Sequence, residues 1–491
     1  MSNVAGAERS AKPGGRGRHR LLKLALGAIG MLSAGSCSGQ VVTQPPPPPP
    51  VCTPSTVPLP ASDATITVDV SRKFQTIDGF GTTERLFTDP HLTKTFDPAT
   101  QQGAVLVPPD QQAAILKALY TDIGLTRLRY ATDVGIEPVN DNTDPNVTDL
   151  SKFNFAFKGG DGHISLVNAA RPFGVTTWWG SPIGPGEAWM SSTDPAEYAE
   201  WALAIIRHWN SAGTPLTYWS LFNEPGYFGG GATRSGEYMR DAVKLIGARL
   251  SAEGIPTRIV IPDDINPAAA LNRASIILAD PAARRYVAAI ATHVYDATYP
   301  PVQPNTASLS ALAALAAQYG LPLWMSEWYS TDWFAWATTM HTLLADDNVS
   351  AIDYAWGFFG QWDIAQLIVI QYTGNLYTGF FRNKQFWVMG QYSAYVRPGT
   401  VRVAADAGND PAIRVTAYYD GTKVVVVALN VGNSDKAVRF ELGAGIPCVR
   451  TLAAVRTSPI ESGRVLPAVS LDAPHFVATL PATSITTFVA Q

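Results

Sequence analysis

The sequence is poor in cysteine, in charge and in long apolar runs. Its three cysteines, Cys37, Cys52 and Cys448, lack the paired short spacings of zinc sites, so we expect neither a metal nor a cofactor. Charged residues make up only 15% of the chain, and a net charge of −4 argues against binding to nucleic-acid phosphates. No apolar run approaches the roughly 20 residues of a membrane-spanning helix. We therefore expect a protein that neither binds nucleic acid nor crosses a membrane.

The first 36 residues have the pattern of an export signal. They contain six Lys/Arg, one acidic residue and the apolar run 24–34, and so carry a net charge of +5. The rest of the chain therefore carries a net charge of −4 − 5 = −9. The small residues before Cys37 resemble a bacterial lipoprotein cleavage site, although Ala34 stands where a large aliphatic residue is usual. Ordinary signal-peptidase cleavage nearby is the alternative. We expect an extracytoplasmic protein, secreted, periplasmic or anchored through a lipid on Cys37.

Residues 37–62 form a linker with six consecutive prolines at 45–50. This composition favours polyproline II structure and acts as a stiff spacer. In an oxidising compartment Cys52 and Cys448 could pair, and free thiols are the alternative. We expect the protein to be a monomer.

Between Phe74 and Val396, short β-rich runs alternate with helical stretches, which is typical of parallel βα units. Eight runs predict strands, at 76–81, 126–131, 175–180, 217–223, 258–262, 289–295, 323–328 and 351–357. Helical periodicity is clearest at 110–122, 195–211, 236–253, 308–319 and 333–346. The fold class is therefore α/β, with a (β/α)8 TIM barrel over residues 74–396.

After Pro398 the pattern changes to short strands without helical periodicity. These strands are predicted at 414–419, 423–430, 437–442, 450–457 and 484–490. They indicate a C-terminal β-sandwich side domain over residues 397–491. The strand-like residues 63–73, just before the barrel, are expected to join that sandwich.

Two glutamates stand at predicted strand ends. Glu224 follows the fourth strand within Asn-Glu-Pro, and Glu327 ends the seventh. Chemistry in TIM barrels lies where strands end, and these two strands face each other across the barrel mouth. Glycoside hydrolysis needs one carboxylic acid to protonate the leaving oxygen and one carboxylate at the anomeric carbon. The alternatives are a surface carboxylate for Glu224 and an ion pair at the core edge for Glu327.

Five segments together resemble glycoside hydrolase family 30, a clan A family of retaining enzymes whose barrel carries a β-sandwich. They are FQTIDGFG at 74–81, FNEP at 222–225, WMSEW at 324–328, VRPGTVR at 396–402 and LPATSITTF at 480–488. The resemblance runs from about residue 65 to the C-terminus. It implies that Glu224 is the acid/base and Glu327 the nucleophile of a double displacement.

The resemblance implies further site residues. Asn223 would bond the sugar 2-hydroxyl, Arg129 would stabilise the carboxylate of Glu327, and Tyr295 would bond that same carboxylate. His293 should face the site. The alternative for Arg129 is a surface salt bridge, and the alternative for His293 is a core histidine that bonds a backbone carbonyl. Trp356 would form the platform beneath the sugar. Other tryptophans could line neighbouring subsites, or could instead be buried between loops: Trp178, Trp179, Trp189 and Trp328.

The expected substrate is a β-linked polysaccharide or oligosaccharide, with xylan ahead of β-1,6-linked glucan or galactan and a glucosylceramidase-like activity third. The segment 179–190 and the aromatic-rich loop 358–382 are longer than usual in the family, and both would shape sugar subsites. Only Arg382 and Lys384 supply positive charge near the second loop, so glucuronate recognition is not expected. A noncatalytic carbohydrate-binding lipoprotein is the competing class, but it would ordinarily have lost one of the two glutamates.

Overall fold

The computed structural model describes residues 60–491, except 90–91, 93–104, 133–134, 157–159, 183–186, 193, 228–233, 297–305, 363–364, 409, 444–445, 447–448 and 472–474. The predicted export signal, the six consecutive prolines at 45–50 and all three cysteines lie outside the described residues. Within the described ranges, no helix combines the length and the apolar character needed to cross a bilayer.

Eight parallel strands close into a barrel in chain order, which confirms the predicted fold class. They are β2 (Gly79–Glu84), β3 (Arg127–Thr132), β4 (Thr177–Pro182), β5 (Tyr218–Ser220), β6 (Arg258–Asp264), β7 (Val287–His293), β8 (Leu323–Glu327) and β9 (Ala351–Ala355). The first barrel strand begins at Gly79, later than predicted, because the residues before it belong to β1 (Ala64–Thr76) of the side domain.

Helices surround the barrel in the expected alternation. They are α1 (Pro109–Lys117), α2 (Asp161–Ala170), α3 (Pro195–Ser211), α4 (Gly236–Glu253), α5 (Pro267–Ala279), α6 (Pro281–Arg284), α7 (Thr306–Tyr319), α8 (Trp333–Ala345) and α9 (Lys384–Ser393). Local hydrogen bonds cap their N-termini: Asp194 caps α3 by accepting from two backbone N–H groups, and Ser235 caps α4 by accepting from the N–H of Tyr238. The helix α4 ends at Gly254, whose left-handed backbone (φ 66°) is open to glycine at little cost.

Side chains fill the barrel interior below the mouth. The rings of Trp179 and Trp324 lie there, 6.0 Å apart between centroids. The guanidinium of Arg127 stacks over Trp324 at 4.2 Å and pairs with the buried carboxylate of Asp353 at 2.9 Å. This layer forms the floor of the barrel mouth.

The side domain is a single hydrogen-bonded sheet of nine strands that curls over itself. Beside β1, its strands are β13 (Val401–Asp406), β14 (Ile413–Tyr419), β15 (Val424–Asn430), β16 (Lys436–Leu442), β17 (Thr451–Ser458), β18 (Glu461–Ser470), β19 (His475–Leu480) and β20 (Ser484–Ala490). Their order is β18-β17-β20-β15-β14-β13-β1-β16-β19. Phe440 of β16 and Phe488 of β20 are far apart in this order, yet their rings lie 4.8 Å apart. The sheet is therefore folded into two packed faces, as in a β-sandwich.

The segment before the barrel joins this sheet, because β1 pairs with β13 antiparallel and with β16 parallel. The segment 358–382, treated above as a loop, instead forms a small sheet of β10 (Phe358–Gly360), β11 (Ile368–Thr373) and β12 (Leu376–Arg382). Barrel and side domain meet at α9, where the backbone carbonyl of Gln391 accepts a 2.7 Å hydrogen bond from Thr487 of β20.

Candidate active site

The two predicted catalytic carboxylates lie together at the C-terminal end of the barrel. Glu327 is the last residue of β8, and Glu224 follows β5. One carboxylate oxygen of Glu224, one of Glu327 and one ring nitrogen of His293 lie within 4.8 Å of one another. The side chains of Glu224 and Glu327 are 8% and 13% exposed, so both are mostly buried yet still accessible from the cleft.

Both oxygens of Glu327 have donors. Arg129 donates from Nη1 to Oε2 at 2.7 Å, and the hydroxyl of Tyr295 donates to Oε1 at 3.1 Å. Burial works against the charge of Arg129, but the carboxylates of Asp263 and Glu327 raise its pKa above the ordinary value. Burial and the charge of Glu327 raise the pKa of Tyr295, so its hydroxyl keeps its proton. The carboxylate of Glu327 is thus fixed by a permanent cation and a neutral donor.

Arg129 contacts several groups besides Glu327. Its guanidinium carbon lies 5.3 Å from the centroid of the Trp179 ring. Its Nη1 also donates to the hydroxyl of Thr83 at 3.1 Å, and its Nη2 donates to Oδ1 of Asn223. Because Oδ1 of Asn223 is engaged in this way, the amide nitrogen is the group that would donate to a sugar hydroxyl.

Glu224 is held by its backbone and by a histidine. Its N–H donates to the carbonyl of Asp263 at 2.9 Å, in a left-handed conformation (φ 52°) that is uncommon for a non-glycine residue. Its Oε1 lies 2.8 Å from Nδ1 of His293, which is fully buried. Burial opposes protonation of His293, but the carboxylates of Glu327, Asp263 and Glu224 raise its pKa to about 9. At neutral pH, Nδ1 therefore donates to Glu224.

A third carboxylate, Asp263, was missed by the sequence reasoning. It lies near the end of β6 and is fully buried. Its Oδ2 accepts from Nη2 of Arg129 at 3.0 Å and from Ser181 at 2.6 Å; its Oδ1 accepts from Ser326 at 2.5 Å. Although burial opposes its charge, Arg129 and His293 lower the pKa of Asp263. The signal was available, since Asp263 is an acid near the end of a barrel strand, as Glu224 and Glu327 are.

The three groups Glu224, His293 and Glu327 also present ligand atoms close enough together for a metal ion. However, Glu327 is already paired with the guanidinium of Arg129, and a protonated His293 has no free lone pair. The arrangement suits one proton-donating carboxyl beside one ionised carboxylate better than coordination of a cation.

Trp178 and Trp179 are not placed to bind sugar, which corrects the expectation above. Trp179 is fully buried beneath Arg129, inside the barrel. Trp178 points outward, where Arg171 stacks on its ring at 5.2 Å, and it shares a cavity with Thr217, which precedes β5. That cavity lies at the N-terminal end of the barrel, away from the glutamates.

Two other tryptophans pack against core residues. Trp328 is 2% exposed and packs on Trp336 of α8 at 5.6 Å, so it too is corrected to a core residue. Trp189 donates from Nε1 to the carbonyl of Glu137 at 2.8 Å, and its ring packs against the core.

Trp356 differs from these, because it is only partly buried and follows β9 at the barrel mouth. The guanidinium of Arg85, which follows the first barrel strand, lies 4.5 Å from its ring centroid. Its position is compatible with the predicted sugar platform.

The two basic residues near the segment 358–382 are engaged elsewhere. Arg382 pairs with Asp122 at 3.2 Å, close to where β3 begins, at the N-terminal end of the barrel. Lys384 donates to the carbonyls of Ser458 and Pro459 in the side domain at 2.8 and 2.7 Å. Neither side chain is directed at Glu224 or Glu327.

Known proteins resemble the chain in sequence and in fold, although no family model matches it. Glucuronoxylanase XynC of Bacillus subtilis is 27% identical over 313 residues, which cover 60% of this chain and 66% of the relative. Putative glucosylceramidase 1 of Caenorhabditis elegans is 23% identical over 427 residues, covering 75% of this chain and 76% of the relative. The chain thus spans just under two thirds of the bacterial relative.

Among solved structures, the catalytic domain of GH30 xylanase C from Talaromyces cellulolyticus has a TM-score of 0.69 and 22% identity, covering 87% of this chain and all of that one. A family 30 subfamily 8 xylanase from Clostridium acetobutylicum has a TM-score of 0.65 and 24% identity, covering 87% and 99%. These matches share the barrel with its side domain. With the sequence similarity and the two glutamate motifs, they support the resemblance of the chain to glycoside hydrolase family 30.

Proposed function

We propose that this protein is a retaining glycosidase that cleaves β-glycosidic bonds in a polysaccharide by double displacement. The observation that carries the proposal is the close pair of Glu224 and Glu327, whose nearest oxygens are no more than 4.8 Å apart. Retaining enzymes hold their two carboxyl groups about 5–5.5 Å apart, whereas inverting enzymes need about 6.5–9.5 Å to admit a water molecule. A pair this close favours direct attack by one carboxylate.

In the first step, Glu327 attacks the anomeric carbon while Glu224 gives its proton to the departing glycosidic oxygen. The C–O bond to the leaving group breaks as the bond to Glu327 forms. Arg129 and Tyr295 hold the attacking carboxylate in one orientation, which lowers the entropic cost of reaching the transition state. Asn223 would donate from its amide to the sugar 2-hydroxyl, a contact that strengthens as positive charge develops on the ring.

In the second step, water replaces the leaving group. Glu224, now a carboxylate, takes a proton from the water as its oxygen attacks the anomeric carbon and releases Glu327. Two inversions at one carbon give net retention, and Glu224 regains its proton.

Xylan is the proposed substrate, because a glucuronoxylanase and several xylanases are among the similar proteins. Recognition of a glucuronate branch is not proposed, since Arg382 and Lys384 both have partners away from the mouth. β-1,6-Glucan and glucosylceramide are the alternatives, because an endo-β1,6-glucanase and a putative glucosylceramidase also resemble the chain.

We propose in addition that the enzyme is exported as a monomer, with Cys37 bearing a lipid. The support is the basic and apolar leader, the small residues before Cys37 and the proline spacer after it. Labelling with a radioactive fatty acid should mark the wild type and leave Cys37→Ser unlabelled. Equal labelling of both would contradict lipidation at this residue.

The substrate is tested by incubating the protein with glucuronoxylan, unbranched xylan, β-1,6-glucan, β-1,6-galactan and glucosylceramide, followed by product analysis. We expect the highest kcat/KM on the two xylans, with no more than a few-fold difference between them. Glu224→Gln and Glu327→Gln are the matched inactive controls. Turnover on β-1,6-glucan alone would replace xylan with that substrate, and no turnover on any β-glycoside would contradict the proposed function.

A further inference from the structure

We propose that Asp263 is a positioning residue for the whole catalytic group: its buried carboxylate binds Arg129 and lies beside the imidazole of His293, and through them it orients both Glu327 and Glu224. The inference rests on the proposed function for its consequences in catalysis. The contacts that carry it are independent of the substrate.

Asp263 is connected to both glutamates by short paths. On one side, Oδ2 binds Nη2 of Arg129, whose Nη1 binds Glu327. On the other side, Oδ1 lies 3.4 Å from Nε2 of His293, whose Nδ1 lies 2.8 Å from Glu224. The backbone carbonyl of Asp263 also accepts the N–H of Glu224 at 2.9 Å. A single residue thus contacts the supports of both glutamates.

The surroundings favour a permanently ionised Asp263. The hydroxyls of Ser181 and Ser326 donate to its two oxygens at 2.6 and 2.5 Å, from β4 and β8 respectively. Arg129, on β3, places a full positive charge 3.0 Å from Oδ2 of Asp263. A buried carboxylate is tolerated only when it is paired and hydrogen-bonded in this way.

The charges of the group balance only if Asp263 is counted. The groups facing His293 are Glu224, Asp263, Glu327 and the neutral hydroxyl of Tyr295. With Arg129 and His293 positive, and Asp263 and Glu327 negative, the sum is zero when Glu224 carries its proton.

The sum stays at zero after the first chemical step. Glu327 then becomes a neutral ester, and Glu224 becomes the carboxylate. Without the charge of Asp263, the buried group would carry an excess positive charge in both states, and His293 would lose its proton. His293 would then no longer be held as the donor to Oε1 of Glu224, and either oxygen of that carboxyl could take the proton.

The test combines titration of His293 with kinetics. In the wild type, ¹⁵N NMR of labelled imidazoles, assigned with His293→Gln, should show His293 doubly protonated at pH 7. In Asp263→Asn, we expect its titration midpoint to fall by roughly 1 to 3 pH units. We also expect kcat to fall by roughly 10²-fold with little change in KM, because the reacting groups are displaced while the sugar contacts remain.

The matched control is Asp353→Asn, which removes the partner of Arg127 one layer below. It should lower the melting temperature by a similar amount but leave the His293 midpoint and the pH profile of kcat unchanged. If Asp263→Asn does not fold, Ser326→Ala removes one donor to Asp263 and should lower kcat several-fold with KM unchanged.

A neutral His293 at pH 7 in the wild type would overturn the proposal. An unshifted midpoint in Asp263→Asn would do the same, as would equal effects of the two Asp→Asn substitutions. A protein without glycosidase activity would contradict the proposed function instead, while the titration of His293 would still decide the role of Asp263.

Discussion

Replacing Arg129 by lysine should damage catalysis even though the positive charge is kept. The fork of Arg129 contacts Glu327, Asp263, Asn223 and Thr83 at once, from a fully buried position. Lysine ends in one ammonium nitrogen instead of a planar fork, so it cannot reproduce the separate contacts that Nη1 and Nη2 make to the two carboxylates. Losing one hydrogen bond to a charged partner costs about 1.5–3 kcal/mol. At a factor of ten per 1.36 kcal/mol, kcat/KM should fall about 10- to 150-fold.

The assay is the initial rate on an aryl β-glycoside of the preferred sugar, with unfolding free energies measured by chemical denaturation. Arg127→Lys is the control, because Arg127 is equally buried, lies on the same strand and pairs with Asp353 rather than with a catalytic group. It should lose comparable stability but keep kcat/KM within a few-fold of the wild type. If Arg129→Lys also kept near-normal kcat/KM, the bridging role assigned to this guanidinium would be refuted.

Three further predictions follow from the site and its surroundings. Glu327→Ala should lose turnover but regain part of it with azide, which would accept from Arg129 and Tyr295 and yield an inverted glycosyl azide; no rescue, or a retained product, would argue against a nucleophilic Glu327. Glu224→Ala should lose far less activity on dinitrophenyl glycosides than on polysaccharide, since a good leaving group needs no acid; equal losses would contradict an acid role. Burial raises the pKa of Glu84 from 4.5 to about 8, so the folded protein favours the protonated carboxyl. The contribution of Glu84 to the free energy of unfolding is therefore complete below pH 4.5 and falls as the pH rises toward 8, by up to about 1.4 kcal/mol per pH unit. Glu84→Gln should therefore gain stability over the wild type at pH 8 but not at pH 4 in denaturation experiments, and a pH-independent difference would refute this.

The barrel and the position of the two glutamates at its mouth could be predicted because they depend on local signals. Strand periodicity places eight strands in order, and a strand that ends in Asn-Glu-Pro or Ser-Glu directs its acid to the mouth. Long side chains such as Arg129, His293 and Tyr295 were then assigned by resemblance. The structure brings all three against the two glutamates.

The tryptophans show where this reasoning failed. The third barrel strand was predicted to end at Gly180, but β4 continues to Pro182. Trp178 and Trp179 therefore lie in the middle of a strand, below the mouth, and successive side chains on a strand point in opposite directions. One fills the barrel and the other faces the outer layer, so neither reaches the cleft.

Asp263 and the segment 358–382 were missed for different reasons. The place of Asp263 at a strand end was visible in the sequence, but its contacts with Arg129 and His293 cross between strands and are visible only in three dimensions. In the segment 358–382, a turn at Gly374 with positive φ joins β11 to β12. That glycine between two β-rich runs was a hairpin signal, and the aromatic content of the segment obscured it.

The central claim is that Glu327 forms a covalent bond to the sugar. The most direct measurement is inactivation with 2,4-dinitrophenyl 2-deoxy-2-fluoro-β-xylobioside, and with the corresponding glucoside if xylan is not cleaved, followed by peptide mass spectrometry. Fluorine slows both steps while the good leaving group keeps the first one fast, so the glycosyl-enzyme accumulates. The account predicts one sugar per chain, attached to Glu327. A label on another residue, or full turnover of the compound without any covalent adduct, would contradict it.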